Sequence, residues 1–350
     1  MKPERASGAG TRYSHGMFVS TEMPVRGRLA PSPTGALHLG NARTFLIAWL
    51  SVRSRGGSLL LRMEDLDHPK VKPAATRQAL NDLRWLGLDW DEGPDLGGPH
   101  APYVQSVRID RYAAALEQLR GQGLIYPCVC SRQDVESGQS APHASEDGLY
   151  YPGVCRSRFA SYAEAAATLT PGRLPAWRFA VGGVEGADST VAFEDGFHGW
   201  QREDVALTVG DFVIARHPLG AGYMLAVVVD DAAMGVNEVL RGDDLMPATH
   251  RQLMLYRALS LPPPRFVHVP LVVSVEGRRL AKRHGDTRIA SLRERGLRPS
   301  QVVGLLAWWC GWAAWGEEAM PADLVSRFRL SDIPREPVVL TDAVKRMLGV

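Results

Sequence analysis

Cysteine is scarce: four in 350 residues are too few for the disulfide framework that holds small secreted domains together. Long apolar runs are missing as well. The longest nearly apolar stretch, residues 302–315, has 14 residues, short of the ~18 that suggest a membrane span. The opening 25 residues are polar, carry Lys2, Arg5 and Arg12, and lack the apolar core of a secretory signal. Nor does one sign of charge dominate. Forty Lys+Arg against 38 Asp+Glu give a formal +2, which excludes a histone-like polycation but not a local nucleic-acid patch. Internal repeats and heptads are absent too. What remains is a cytoplasmic globular chain with no membrane association, of two or three units at ~100–200 residues each.

What is present is an α/β pattern. Residues 1–24 read as a flexible leader, with Met17 and Met23 as alternative starts. A short strand is expected at 25–30, a Pro/Gly loop at 31–40, and a helix from Asn41 to about Ser54. That helix carries Phe45, Leu46, Trp49 and Leu50 on one face and stops at Gly56-Gly57. Residues 58–63 read as a buried strand ending in Glu64-Asp65-Leu66-Asp67. Ligands of open parallel sheets sit beyond the carboxyl ends of strands, which puts the 31–40 loop and Glu64 on one rim. The pattern resumes with a continuous apolar strand at 224–229 followed by Asp230-Asp231. Residues 237–240 then lead into Arg241, followed by a helix at 249–259 and a strand at 266–273. This predicts a nucleotide-binding sheet, halves at 25–100 and 206–275, split by an insertion at 101–205 and followed by a helical region at 276–350.

The most informative segment is Arg28-Leu29-Ala30-Pro31-Ser32-Pro33-Thr34-Gly35-Ala36-Leu37-His38-Leu39-Gly40. Two prolines restrict the backbone, and Gly35 and Gly40 permit close approach. His38 arrives at a helix start, whose free N–H groups and positive dipole end suit a phosphate. The string resembles the HIGH signature of class I aminoacyl-tRNA synthetases in its glutamyl form. Three more segments agree in order. Leu61-Arg62-Met63-Glu64-Asp65 resembles the family's L-R-x-E-D strand end, and residues 85–94 its W-L-G-L-x-W-D-E-G-P segment. Residues 279–285 stand where the family has its KMSKS loop. The resemblance spans Val25 to Gly285. It implies an α/β, Rossmann-like class I catalytic domain with a parallel sheet, split by a small inserted zinc-containing domain. A KMSKS-like loop and a short helical C-terminal region would follow, with no anticodon-binding domain.

The resemblance further implies that a carboxylate of L-glutamate attacks the α-phosphorus of ATP and pyrophosphate leaves. Positioning and charge stabilisation carry such a reaction. His38 and Gly40 fall to the ATP phosphates and Lys282 to the charge developing towards pyrophosphate, with Mg2+ expected beside ATP. Arg279 replaces the family's first loop lysine, keeping charge but changing geometry; Ala281 replaces its serine and removes a hydroxyl donor. Glutamate carries two carboxylates and an ammonium, so its site needs cations and an anion. Arg28 and Arg241 supply the cations, Glu64 the anion and Tyr223 a hydroxyl, all at predicted strand ends, and the family has counterparts of all four. Leu29, Ala30, Pro31 and Ser32 belong to the amino-acid site implied by the same string.

Cys128, Cys130 and, 25 residues on, Cys155 offer three thiolates, and tetrahedral zinc wants a fourth ligand. The candidates are Tyr150, Tyr151 and His143. On chemistry alone His143 is the choice, because phenolate is a rare ligand. The form Tyr151-Pro152-Gly153-Val154-Cys155-Arg156 instead resembles a Cys-x-Cys…Tyr-x-x-x-Cys zinc site of small glutamyl-tRNA synthetase paralogues and implies Tyr151. A closed site of this kind is structural.

Between Arg278 and Arg298 stand eight Lys/Arg and two Asp/Glu, a strip suited to an RNA backbone. Residues 302–315, with Trp308, Trp309, Trp312 and Trp315, read as a buried helix before a base-stacking platform. Only 67 residues follow Arg283, too few for an anticodon-reading region and its connection. Together with the cysteine pattern, that shortness resembles the glutamyl-Q tRNA(Asp) synthetases. These activate glutamate without tRNA and transfer it to the queuosine base in the anticodon loop of tRNA(Asp). The implied partners are L-glutamate, ATP and queuosine-bearing tRNA(Asp), and the implied state is a monomer. Two alternatives stand beside this reading: a truncated glutamyl-tRNA synthetase charging the 3′ end of tRNA(Glu), and a catalytically silent RNA- or adenylate-binding paralogue.

Overall fold

The computed structural model describes residues 12–13, 24–33, 36–66, 73–137, 150–183, 188–217, 220–278, 280 and 286–349. The chain divides into two compact units, one of residues 20–108, 231–246 and 264–350, the other of residues 1–19, 109–230 and 247–263.

Parallel strands organise the first unit. Arg26–Leu29 pairs with Ser58–Leu61, and Glu238–Gly242 pairs with Arg265–Val269. The two pairs meet where Asn237 N–H donates to Arg26 O at 3.0 Å and Arg26 N–H donates to Asn237 Oδ1 at 2.8 Å. Leu29, Leu59, Leu60, Leu61, Val239, Val267 and Val269 are all buried, the near-continuous apolar run of strands covered on both faces. Helix Leu39–Arg53 starts at His38 and ends just before Gly56, whose φ is +65°. Its close packing depends on Gly27, where a Cβ would stand 2.5 Å from Val52 Cγ2; a larger residue would push helix and strand apart. Hydrogen bonding continues past the strand ends, with Arg62 N–H donating to Leu29 O (2.9 Å) and Glu64 N–H to Pro31 O (3.1 Å). That brings Glu64 to the same rim as Pro31.

The second unit is built on antiparallel pairing. Ile125–Cys128, Ala176–Phe179, Phe212–His217 and Gly220–Ala221 form one sheet in that order, and Thr190–Asp195 forms a hairpin with Gly199–Asp204. Helix Ile109–Gly121 buries Tyr112, Leu116 and Leu119, and Tyr112 Oη donates to the buried Asp230 at 2.7 Å. No helix among the described residues is long and apolar enough to cross a membrane.

Three expectations need correction. Residues 224–229 lie in helix Tyr223–Ala233 and not in a strand, so Tyr223 opens a helix. Leu225, Ala226, Val227 and Val228 are all buried, and a short run buried on every side has no period to separate helix from strand. Residues 302–315 are not one helix. The helix is Pro299–Trp308, and Gly311 at φ +80° turns the chain away, leaving Trp309 and Trp312 buried beyond it and Trp315 48% exposed. The strand expected at 266–273 is Arg265–Val269 followed by the short Val272–Val273, with Pro270, which has no N–H to offer a ladder, at the break.

Candidate active site and metal centre

His38 is built into the start of helix Leu39–Arg53. Its Nδ1 accepts from Gly40 N–H (3.1 Å) and Asn41 N–H (3.4 Å), and Asn41 Oδ1 accepts from His38 N–H. A Cβ on Gly40 would stand 3.1 Å from the imidazole, so glycine lets the ring fold back onto the helix. With Nδ1 accepting, the neutral ring carries its proton on Nε2 and presents a donor there. The segment after the basic loop is tied to this same point. Leu39 N–H donates to Thr287 O at 3.1 Å and Ile289 N–H to Leu37 O at 2.9 Å. Asp286 is clasped by Arg288 Nε at 2.6 Å, which holds its carboxyl well below the usual range. Thr34, Gly35, Arg279, Ala281, Lys282 and His143 lie outside the described residues.

The first unit brings Arg28, Glu64 and Arg241 into one buried neighbourhood. Arg28 Nη1 donates to Leu240 O at 3.1 Å, next to Arg241. Arg241 Nε donates to His268 Nε2 at 3.0 Å, and its guanidinium lies 5.4 Å from the Phe266 ring centroid. Two residues that sequence reasoning left out complete the network. Arg62 donates through Nη2 to Glu64 Oε1 (2.9 Å) and through Nη1 to Asp231 Oδ1 (2.7 Å). The same Asp231 oxygen is 3.7 Å from Arg28 Nε. Burial raises the Glu64 carboxyl, and Arg62 and Arg28 pull it back only in part. The signal in the sequence is Arg62 itself, one cation directly after the apolar run Leu59-Leu60-Leu61. Tyr223, 37% exposed, belongs to the other unit.

In the second unit Cys128 ends strand Ile125–Cys128, and Tyr151 is anchored by its backbone between Val209 O and Asp211 N–H, both at 3.0 Å. The three sulfurs lie within 4.8 Å of one another, Cys130 and Cys155 at 3.6 Å. Tyr151 Oη is 3.3 Å from Cys128 Sγ and 3.6 Å from Cys130 Sγ, and it accepts from Cys155 N–H at 3.0 Å. A tetrahedron with Zn–S bonds of ~2.3 Å has sulfur–sulfur edges of about 3.8 Å. The three thiols and the phenol oxygen therefore have the spacing of a four-coordinate metal site. Burial pushes the Cys130 thiol up to about 12. Burial also acts to raise Cys155, but hydrogen bonds led by Tyr151 outweigh it and leave that thiol lowered.

Arg178 is the missed residue here. Its Nε donates to Cys128 Sγ at 3.3 Å, and its guanidinium lies 3.7 Å from the centroid of the Tyr151 ring. Its Nη1 donates to Asp211 O at 2.8 Å, and the buried Asp211 carboxylate also accepts from Tyr126 Oη, Arg156 Nη2 and Val181 N–H. The basic strip is less open than its composition suggests. Arg288 pairs with Asp286, Arg293 with Asp82 and Arg298 with Glu318, while Arg295 donates to Gly349 O.

Comparison with known proteins adds three findings. The family model for the catalytic domain of class I tRNA synthetases (E and Q) matches residues 24–322. A glutamyl-Q tRNA(Asp) synthetase of Symbiobacterium thermophilum is 50% identical over 313 residues, covering 89% of this chain and 94% of that protein. One from Nitratidesulfovibrio vulgaris is 44% identical over 315 residues, covering 90% and 95%. Among solved structures, a glutamate tRNA ligase from Elizabethkingia meningosepticum in complex with its amino acid superposes with a TM-score of 0.77 at 26% identity. That match covers 93% of this chain and 69% of the ligase.

Proposed function

The chain belongs to the class I tRNA synthetases of the glutamate and glutamine group, and from that membership we propose that it is a glutamate-activating enzyme that modifies tRNA(Asp). In this reading a carboxylate oxygen of L-glutamate attacks the α-phosphorus of ATP, releasing pyrophosphate without needing tRNA. A hydroxyl of queuosine in the anticodon loop of tRNA(Asp) then attacks the acyl carbon, and AMP leaves. The observation that carries it is the likeness to glutamyl-Q tRNA(Asp) synthetases, 50% and 44% identical over 89% and 90% of the chain.

The residues take these roles. His38, folded onto the helix start beside Gly40, holds ATP phosphates through its Nε2–H donor. Lys282 closes on the charge that develops towards pyrophosphate, and Mg2+ accompanies ATP. Arg28 and Arg241 meet the carboxylates of glutamate, Glu64 its ammonium and Tyr223 one of its oxygens, while Leu29, Ala30, Pro31 and Ser32 line the amino acid. Cys128, Cys130, Tyr151 and Cys155 hold a structural Zn2+, whose part is to fasten the strand end at Cys128 to the turn at Tyr151. The catalytic halves are 25–100 and 206–275, the inserted acceptor-binding and zinc domain 101–205. Residues 276–350 are the loop and helical region, after a leader at 1–24, in a cytoplasmic monomer.

The test has two arms. ATP–pyrophosphate exchange is measured with glutamate alone, and labelled glutamate is then mapped on tRNA fragments. Exchange without tRNA and label in the anticodon-loop fragment are expected. Label confined to the 3′-terminal fragment would make the chain a charging enzyme, and absence of both exchange and label on either fragment would make it a silent paralogue.

A further inference from the structure

One buried carboxylate touches the amino-acid pocket without a part in the scheme above. Asp231 lies in helix Tyr223–Ala233 at 1% exposure. We propose that Asp231 and Arg62 are a positioning pair that fixes the separation between the cationic and the anionic pole of the pocket, and so selects the length of its dicarboxylic substrate. The inference rests on the glutamate-activating reading.

The geometry supports it link by link. Arg28, Asp231, Arg62 and Glu64 form a chain of alternating charge, with contacts of 3.7, 2.7 and 2.9 Å. Arg62 is fully buried, and its two Nη atoms point to different carboxylates, Asp231 on one side and Glu64 on the other. A guanidinium is a rigid planar fork, so the two carboxylates it bridges cannot drift apart independently. Arg62 and Glu64 follow directly on strand Ser58–Leu61, and their amides are tied to Leu29 O and Pro31 O. Arg28, by contrast, meets Asp231 at an ion-pair distance longer than a hydrogen bond, and its Nε has no hydrogen-bond partner within the protein. Asp231 thus holds Arg28 in place by charge while leaving donor capacity for a substrate carboxylate. Burying four ionised groups is costly. The network has its use in setting where the two poles stand.

The experiment is glutamate-dependent ATP–pyrophosphate exchange by the full-length chain, with KM for glutamate and for ATP measured separately and L-aspartate as the shorter competitor substrate. Wild type is read first, since absence of exchange there refutes the underlying reading and not this inference. For Asp231→Asn the KM for glutamate is expected to rise about 30-fold or more. The KM for ATP should stay within about twofold, and the preference for glutamate over aspartate should narrow. Arg62→Lys, which keeps the charge and loses the fork, should do the same. A glutamate KM within threefold of wild type overturns the proposal. So does a parallel rise of both KM values with a lowered melting temperature, which would make the network scaffold only. Failure of both variants to fold overturns it in the same way.

Discussion

Each unit buries a cluster of ionisable groups, and the two clusters are balanced in opposite ways. In the parallel-stranded unit Arg28, Asp231, Arg62 and Glu64 alternate in sign, so the set is neutral before any ligand arrives. In the antiparallel unit Cys128, Cys130, Tyr151 and Cys155 converge on one point, and all four would be anionic as metal ligands. Only Arg178 opposes them by direct contact in the hydrogen bonds described. A self-neutral chain can stand ready for a zwitterionic substrate that comes and goes. A convergent set of donors needs a resident cation, because metal binding and folding are then one equilibrium. Under the proposed function the contrast separates a site for turnover from a site for structure, and each prediction below pulls on one side of it.

The largest effect is expected at the turnover site. Arg241→Ala should reduce glutamate-dependent pyrophosphate exchange at least about 100-fold, the scale for stripping one partner from a desolvated charge pair. Bound metal, measured on the same preparation, should not change. Near-normal exchange would remove Arg241 from the amino-acid pocket. On the structural side, Tyr151→Phe keeps the ring and deletes the oxygen 3.3 Å from Cys128 Sγ. Zinc affinity by chelator competition should fall about 10- to 100-fold, with a lower melting temperature and little change in KM for glutamate. His143→Ala should leave affinity as it is; the reverse outcome would make His143 the fourth ligand. Arg178→Met is expected to cost less, about tenfold in zinc affinity, since outer partners of metal ligands tune a site they do not form. Equal retention by wild type and Arg178→Met would reduce that guanidinium to packing on the Tyr151 ring.

How much of this was legible follows from what each residue's surroundings do to its signal. The loop from Arg28 to Gly40 could be read because its chemistry is local: a strand, a turn and a helix start adjacent in sequence. The cysteine cluster was legible for the same reason, its ligands spaced by two residues and by a short turn motif. Arg62 and Asp231 were not, because each acts through a partner far along the chain, 169 residues apart. A lone charge beside an apolar run looks the same whether it faces solvent or closes a buried pair. Residues 224–229 resemble a strand in the sequence because burial on all sides erases the period that identifies a helix. Arg178 was hidden in Ala176–Phe179, a strand whose residues are mostly half-buried and so carry little contrast between faces.

The smallest effect is a shift in pH dependence, and it tests whether the alternating chain governs the charge state of its last member. Burial raises Glu64 above the usual 4.5, while Arg62 and then Arg28 oppose the rise. A carboxyl raised on folding binds its proton more tightly in the native state. Stability from this group is therefore greatest below the unfolded value and is lost as pH rises through the folded one. Function runs the other way, since only the carboxylate can hold the substrate's ammonium. On acidification kcat/KM for glutamate should begin to fall above pH 4.5, by at most about tenfold per pH unit for one proton, before the fold itself is lost. Glu64→Gln should lower the plateau and abolish that acid limb. Asp231→Asn acts on the same limb from a distance. It removes an anion whose charge works to raise Glu64, so the limb should move to lower pH even as glutamate binds less tightly. A limb that stays in place in Asp231→Asn would show that burial and the two arginines set the Glu64 charge without Asp231, and that the chain of alternating signs ends in geometry and not in electrostatics.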